Sequence, residues 1–295
     1  MSRESVPLAV AASLAAAGAF GVASALQHAE SLRVDRRAAL DPGLLTSLLR
    51  RPLWLFGVAA DMLAVTLQAV GLRYGPVALV QPLLVAGLPV AVTLSCRLDR
   101  RRLRRSEALG VLLSSAGLAL LAPTTATSGL GRPPDRLAGL VAALVLGLTV
   151  GLLLLLARHD PSQAAVATGC AAGIVVGAGS VLLAVSAGRI GNPAALFTSV
   201  APYATVAVGL LGLLLSQAAF QTGALGTPLA ALSVTEPVMA VALAVVLLHE
   251  RLPTTPLTRA LALVGATAAV GGVVALTRGD RSSSTSAAVV DRRRR

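Results

Sequence analysis

The sequence predicts an all-α membrane protein that crosses the bilayer about nine times. Hydrophobic residues make up 55% of the 295 residues and charged residues only 13%, so the chain cannot supply the polar surface that a soluble domain needs. The apolar residues occur in blocks of about 20, the length at which a helix crosses a hydrocarbon core ~30 Å thick. These blocks show neither helical amphipathicity nor strict alternation, which argues against a β-barrel.

Nine apolar segments are predicted to span the membrane in one transmembrane domain over residues 1–277. The predicted spans are Val6–Leu26, Pro52–Leu72, Pro76–Ser95, Glu107–Ala122, Leu137–Ala157, Ser162–Ala187, Val200–Thr222, Thr227–Leu248 and Leu257–Thr277. The segment Gln27–Arg51 is too polar to cross, and its part Leu44–Leu49 is predicted to lie along the cytoplasmic interface. Residues 278–295, which end in four arginines, are predicted to form a disordered basic tail in the cytoplasm.

The arginines predict the orientation, because positive charge is hard to move across the membrane. All 25 Lys and Arg residues are Arg, and with nine spans eighteen of them fall on one side and seven on the other. The richer side has Arg33, Arg36, Arg37, Arg50, Arg51, Arg97, Arg100, Arg101, Arg102, Arg104, Arg105, Arg158, Arg278, Arg281, Arg292, Arg293, Arg294 and Arg295. We therefore expect a bacterial inner-membrane protein with its N-terminus outside and its C-terminus in the cytoplasm. Because these charges orient the chain, they do not predict a nucleic-acid partner.

A cleaved signal peptide is the alternative interpretation of residues 1–25, because Ala23-Ser24-Ala25 resembles a cleavage site. Cleavage would leave the arginine-rich segment that follows outside the cell, against the charge rule. We therefore expect the first span to be retained.

An internal repeat appears when the sequence is shifted by 155 residues. The matched pairs are Gly18 with Gly173, Gly71 with Gly226, Pro82 with Pro237, Gly110 with Gly265, and Gly117 with Gly272. Repeat one (6–122) falls span by span on repeat two (162–277), with the linking helix 137–157 between them. Because five crossings separate matched spans, the halves have opposite orientations. Such repeats build many secondary transporters, with the substrate near mid-membrane, so this pattern predicts alternating access.

Two acidic residues, Asp61 and Glu236, lie well inside predicted spans. Each is about nine residues from the start of its span, hence roughly 13 Å deep. A carboxylate near the bilayer centre costs at least about 2.5 kcal/mol unless it is neutralised, paired or hydrated. Proton coupling or cation binding explains such acids, and a protonated carboxyl that joins two helices by a hydrogen bond is the alternative.

Prolines and amides supply further candidate groups. Glu236 precedes Pro237, and Gln81 precedes Pro82 at the matched position; proline inside a helix frees a carbonyl one turn back and breaks or kinks the axis. The predicted substrate or ion pathway comprises Asp61, Glu236, Gln68, Gln81, Gln217, Gln221 and Thr235, with helix breaks at Pro82 and Pro237. Hydrogen bonding between helices is the alternative role of Gln68, Gln217 and Gln221.

Other chemistry is not indicated by the sequence. Cys96 and Cys170 are isolated, so they predict neither a disulfide nor a zinc site. The sequence does not identify a metal that the protein would bind. Asp61 is the only aspartate inside a predicted span, and no nucleotide-binding loop occurs, so we expect no enzyme activity and no cofactor. The glycines Gly169, Gly173 and Gly177 recur every fourth residue, which favours close helix packing or, alternatively, a homodimer.

Three short motifs carry a resemblance to a known family. They are Gly75–Leu83 (GPVALVQPL), Thr235–Val238 (TEPV) and His249–Leu252 (HERL). On these motifs the chain resembles the drug/metabolite transporter superfamily, of the EamA type. The nine-span layout, in which a polar loop replaces the usual second helix, is most similar to the NIPA magnesium-transporter branch. The amides Gln68 and Gln221 match that branch, whereas Val65 stands where its pattern has an acid.

The resemblance implies a paired-repeat helical fold and transport of a small metabolite or cation. We expect alternating access coupled through the mid-membrane carboxylates, with the solute and membrane lipids as partners. Magnesium or other divalent-cation transport of the NIPA type and a non-transporting scaffold or partner subunit are the alternatives. Mg²⁺ needs few protein carboxylates, so two acids are compatible with it without identifying it.

Overall fold

The computed structural model describes residues 5–35, 40–100, 102–125, 136–160, 163–222 and 226–250, and parts of 255–272. Within these ranges the regular structure is helical, without a strand. The helices are α1 (Ser5–Ser31), α2 (Gly43–Leu48), α3 (Pro52–Tyr74), α4 (Val77–Leu84), α5 (Gly87–Leu98), α6 (Arg105–Thr125), α7 (Arg136–His159), α8 (Ala164–Ala187), α9 (Pro193–Phe197), α10 (Ala201–Phe220) and α11 (Gly226–Leu247).

Seven helical segments in the described residues are long and apolar enough to cross a membrane. They are Val6–Ser31, Pro52–Tyr74, Val77–Leu98, Leu137–His159, Ala164–Ala187, Ala201–Phe220 and Thr227–Leu247. The chain is therefore a polytopic helical membrane protein, as predicted. The predicted span Glu107–Ala122 lies within α6, and Leu257–Thr277 is only partly described, so the count of nine stays a prediction. The tail over 278–295 lies outside the described residues.

The first helix is longer than the sequence predicts. The predicted span ends at Leu26, whereas α1 continues to Ser31, because its last turn is polar but buried. The Ser31 hydroxyl donates to the Gln27 carbonyl at 2.6 Å, and the buried Glu30 carboxylate pairs with Arg33 at 2.6 Å. Burial with partners thus extends the helix beyond its apolar sequence.

The short helix α2 covers one end of the bundle. Its Leu44 and Leu48 are fully buried and pack with Trp54 of α3 and Ala218 of α10. This is the segment predicted to lie along the interface. In the structure the apolar face of this segment packs against α3 and α10.

The long helices form two packing groups. In the first, α1 packs on α3, α4 and α5; in the second, α8 packs on α7, α10 and α11. The groups meet where α4 contacts α11, α3 contacts α8, and α1 contacts α10. We call the membrane face at which α1 begins the first face, and the opposite one the second face.

Glycines allow the closest contacts within the second group. A Cβ atom on Gly173 would lie 2.8 Å from the Leu232 carbonyl oxygen, and one on Gly177 would lie 2.6 Å from that of Glu236. Gly169 faces α11 in the same way. The glycine stripe is therefore covered by α11 of the same chain and offers no surface to a second copy. The homodimer stays a prediction.

Candidate functional site

A cavity of about 440 Å³ lies between the two packing groups. Residues of α1, α3, α4, α5, α8, α10 and α11 line it, so both groups contribute. Most of the lining is apolar. The described polar lining residues are Ser24, Gln27, Asp61, Gln68, Gln81, Ser180, Thr205, Ser216, Ser233 and Glu236, and none of the described lining residues is basic.

The two mid-span acids both face this cavity. Asp61 comes from α3 in the first group and Glu236 from α11 in the second. Both are half-buried because the cavity reaches them, and their carboxyl groups are close enough to interact electrostatically. Neither forms a salt bridge within the described residues. An acid at this depth therefore needs a proton, a cation or water as its partner.

The Gln81 side chain lies in the wall of the cavity. Gln81 of α4 is completely buried, yet both its Oε1 and its Nε2 have no hydrogen-bond partner in the described part of the chain. Buried side-chain amides are nearly always paired, and an unpaired one costs about 1–3 kcal/mol. Gln81 is therefore a candidate partner for a polar group bound in the cavity, although its two polar atoms are covered in this structure.

Gln27 offers a second amide beside Asp61. Its Oε1 accepts a hydrogen bond from Gln217 Nε2 at 2.5 Å. Its buried Nε2 faces the Asp61 carboxyl but has no partner within hydrogen-bonding distance among the described residues. A donor is therefore held next to the acid.

Gln68 joins the two groups at the cavity wall. Its Nε2 donates to the Ser180 hydroxyl of α8 at 3.0 Å, and both residues are buried. Gln68 therefore lines the cavity with one of its polar atoms already paired to the other group.

Three residues predicted for the pathway lie outside the described cavity lining. Gln217 bonds Trp54 and Gln27. Gln221 Nε2 donates to the Ser31 carbonyl at 3.1 Å, and the Thr235 hydroxyl lies 3.4 Å from the sulfur of Cys170. All three side chains contact neighbouring helices, which for Gln217 and Gln221 is the alternative role stated above, and we do not include them in the candidate site.

The first predicted helix break lies just after Pro82. Pro82 is inside α4, which ends at Leu84, and α5 begins at Gly87. Between them the Ala86 N–H donates to the Leu83 carbonyl at 3.1 Å, a three-residue spacing typical of a 3₁₀ turn. The interruption lies at the cavity wall, where Gly87 also lies against α1.

The second predicted break, at Pro237, lies inside α11, which continues from Gly226 to Leu247 without a gap. A proline removes one backbone hydrogen bond, here the bond to the Ser233 carbonyl, and the close packing on α8 supports the helix on both sides of it. Ser233 and Pro237 both line the cavity. The Ser233 carbonyl, which receives no N–H from Pro237, is therefore a further candidate acceptor.

Sequence reasoning missed several polar lining residues. Ser24 and Gln27 of α1 were not identified, nor were Ser180 and Thr205. The missed signal in α1 is spacing, because Gly21, Ser24 and Gln27 recur every third residue and share one helix face. Each of these three lines the cavity.

The site holds carboxyl and amide groups rather than a dense ligand cluster. Among the described residues, no three His, Cys, Asp or Glu side chains come together as a metal site. What the cavity offers is two carboxyl groups and the amides of Gln27, Gln68 and Gln81.

Apolar helices around a cavity with mid-helix carboxyl groups define a polytopic membrane protein whose internal cavity is mostly apolar and contains two acids. The chain is similar to an uncharacterized protein of Corynebacterium glutamicum, with 29% identity over 252 residues that cover 83% of this chain and 86% of the relative. No family model matches the chain, and no solved structure matches it.

Proposed function

We propose that this protein is a secondary transporter that moves a small metabolite or cation by alternating access. The observation that carries the proposal is that Asp61 and Glu236, from different packing groups, line one cavity beside the unpaired amide of Gln81. A scaffold needs no such cavity. A transporter does, because its solute needs a binding site at mid-membrane depth.

The charge of the cavity favours a solute with a positive charge or hydrogen-bond donors. The described lining has two acids and no basic residue, so an anion would find no opposite charge there. Two neighbouring carboxyl groups also allow one to hold a proton while the other binds a cation, which supplies a means of coupling. The pairing of solute binding with proton uptake is therefore part of the proposal.

The packing of the helices is compatible with alternating access. The shift of 155 residues matches α1 with α8, α3 with α10, and α4–α5 with α11, and the contacts of α1 with its neighbours resemble those of α8. Rocking one such group against the other around a fixed site is how inverted-repeat transporters work. We infer that the groups move in this way around the cavity.

Contacts between the two groups are present at both faces. At the first face the Glu250 carboxylate accepts from the Val77 N–H at 3.1 Å, and at the second face Gln221 donates to Ser31. Alternating access requires the contacts at one face to open while those at the other stay closed.

A thermal-shift screen on purified protein tests the proposal. The screen should include divalent cations, amino acids and organic cations at two pH values, followed by flux measurements in proteoliposomes for each solute that binds. We expect Asp61→Asn and Glu236→Gln each to abolish binding and flux with normal insertion, whereas Asp160→Asn, outside the cavity lining, behaves as wild type. Variants that lose abundance but keep flux per molecule would refute the site. A chain that gives no flux and co-purifies with a partner would instead be a scaffold.

A further inference from the structure

Some residues that line the cavity are also strongly exposed. Met62 of α3 is 55% exposed, and Val206 and Leu210 of α10 are 62% and 58% exposed. All three line the cavity. The cavity therefore reaches the lateral surface between α3 and α10, and we call this opening the side slot.

The side slot is closed towards the second face. There the Trp54 indole of α3 donates to Gln217 of α10 at 3.2 Å. Below this contact, Leu44 and Leu48 of α2 pack on Trp54. At this end, therefore, the two helices are held together and covered.

Helix α8 closes the side slot towards the first face. The guanidinium of Arg73, in the last turn of α3, donates to the Ala187 carbonyl of α8 at 3.4 Å. On the other side, the Ser186 and Thr205 hydroxyls join α8 to α10 at 3.3 Å. The pair α3 and α10 is not among the closely packed helix pairs, so we place the opening between these two ends.

The depth of the side slot places it in the hydrocarbon region. Met62 is the eleventh of the 23 residues of α3, and Leu210 is the tenth of the 20 residues of α10, so both are roughly 15 Å from the ends of their helices. The rim is apolar, and a rim of this kind at this depth faces acyl chains. A solute that passes through it comes from the bilayer.

We propose that the side slot is a lateral entrance from the bilayer and that the solute is an amphiphile with a positively charged head. The head lies at Asp61 and Glu236, and the apolar part lies in the side slot against Met62, Val206 and Leu210. A strictly hydrophilic solute would lose its hydration in the acyl region before it met the acids, whereas an amphiphile already resides in the bilayer. This inference rests on the proposed function and specifies the substrate class of the same site.

Gly209 allows the side slot to be narrowed without disturbing helix packing. It lines the cavity on α10, it is exposed, and a Cβ atom there would meet nothing within 4 Å. Gly147 of α7 is a matched control, because it is also an exposed glycine with nothing within 4 Å of a Cβ atom, and it is not part of the described lining.

The experiment compares short and long alkylammonium ions on the full chain in lipid nanodiscs. Ethylammonium and dodecylammonium carry the same head, so thermal-shift titrations isolate the contribution of the apolar part after correction for partitioning into protein-free nanodiscs. We expect dodecylammonium to bind at least tenfold more tightly than ethylammonium. Gly209→Trp should lower the affinity for dodecylammonium at least tenfold, and Gly147→Trp should leave this affinity unchanged. Met62→Trp narrows the side slot from the α3 side. It replaces Gly209→Trp in the experiment if that variant does not fold.

The outcomes separate the lateral entrance from the transporter proposal. Equal binding of the two ions, or equal behaviour of Gly209→Trp, Met62→Trp and Gly147→Trp, overturns the lateral entrance while loss of binding in Asp61→Asn still supports the site. Binding of dodecylammonium that Asp61→Asn and Glu236→Gln leave unchanged overturns the proposed function itself. Absence of binding by either ion overturns the assignment of an amphiphilic cation.

Discussion

The Trp54 indole donates a hydrogen bond to Gln217 across 3.2 Å and so ties α3 to α10 at one end of the cavity. Gln217 in turn donates to Gln27 at 2.5 Å, and Gln27 presents its Nε2 to Asp61. Three buried side chains thus fix the position of a donor beside an acid. Gln217 accepts from Trp54 with its Oε1 and donates to Gln27 with its Nε2. Both ends of its amide are therefore paired, and its role is to position Gln27.

Replacing Gln217 by leucine should destabilise the protein. Gln217→Leu leaves Trp54 Nε1 and Gln27 Oε1 buried without partners, which costs about 1–3 kcal/mol. The measurement is denaturant or thermal unfolding of the purified protein. Gln163→Leu, at an exposed glutamine before α8, is the control and should be close to neutral. Equal stability of the two variants would contradict the structural role of the hydrogen bonds that Gln217 forms with Trp54 and Gln27.

Replacing Gln81 by leucine should have the opposite effect on stability. The Gln81 amide is buried and unpaired within the described residues, so an apolar side chain of similar size removes an existing cost. We expect Gln81→Leu to be neutral or stabilising by up to about 1 kcal/mol and to lose solute binding. The same unfolding assay, run beside a binding assay, gives both quantities. A destabilisation as large as that of Gln217→Leu would show that Gln81 is structural.

The sequence could not distinguish these two glutamines. Gln81 and Gln217 both lie in apolar spans, where an amide is either a ligand for a solute or a bond between helices. The difference lies in partners on other helices, because Gln217 meets Trp54 and Gln27 whereas Gln81 meets none among the described residues. Such partners depend on tertiary packing, which a single sequence does not contain.

Depth in the membrane could be predicted, but the direction of a side chain could not. The length of each apolar block fixed the helices, and the position within the block put Asp61 and Glu236 near the middle. Whether an acid faces lipid or the bundle depends on the rotation of its helix. Both acids face the cavity. The end of α1 was missed for a related reason, since the polar residues Gln27 and Ser31 are buried only after the bundle forms.

Adding one methyl group at Gly173 should weaken the contact between α8 and α11. A Cβ atom there would lie 2.8 Å from both the Leu232 carbonyl oxygen and the Thr235 Cβ, so the backbone of α11 must move. We expect Gly173→Ala to destabilise by about 1–3 kcal/mol and to reduce flux, because the backbone nitrogen of Glu236 lies 3.1 Å from the same position. Thermal unfolding and proteoliposome flux measure the two effects.

The control for Gly173 is Gly147→Ala on the exposed face of α7. A Cβ atom at Gly147 meets nothing within 4 Å, and alanine is favoured over glycine in a helix by about 1 kcal/mol. Gly147→Ala should therefore be neutral or stabilising. If both alanine variants are neutral, the close approach of α11 to Gly173 is not required for stability.

Glu250 gives the contact at the first face a dependence on pH. It lies beyond the end of α11, outside the membrane-spanning segment, and accepts hydrogen bonds from the N–H groups of Val77 at 3.1 Å and Ala78 at 3.3 Å. Burial raises the pKa of Glu250 above its ordinary value of 4.5, and the two hydrogen bonds lower the pKa without cancelling that rise. The folded protein therefore holds this proton at pH values where the unfolded chain has released it.

The sign of the effect follows from that raised pKa. The stability contributed by the protonated carboxyl is fully present below pH 4.5 and is lost as the pH rises through the higher pKa of the folded state. Glu250→Gln stays neutral at every pH and keeps one oxygen to accept from α4. We therefore expect the melting temperature of wild type, relative to Glu250→Gln, to fall as the pH is raised above 4.5. If the melting temperature of wild type relative to Glu250→Gln rises with pH, the hydrogen bonds from Val77 and Ala78 outweigh burial. If this difference in melting temperature stays constant, Glu250 does not titrate differently on folding.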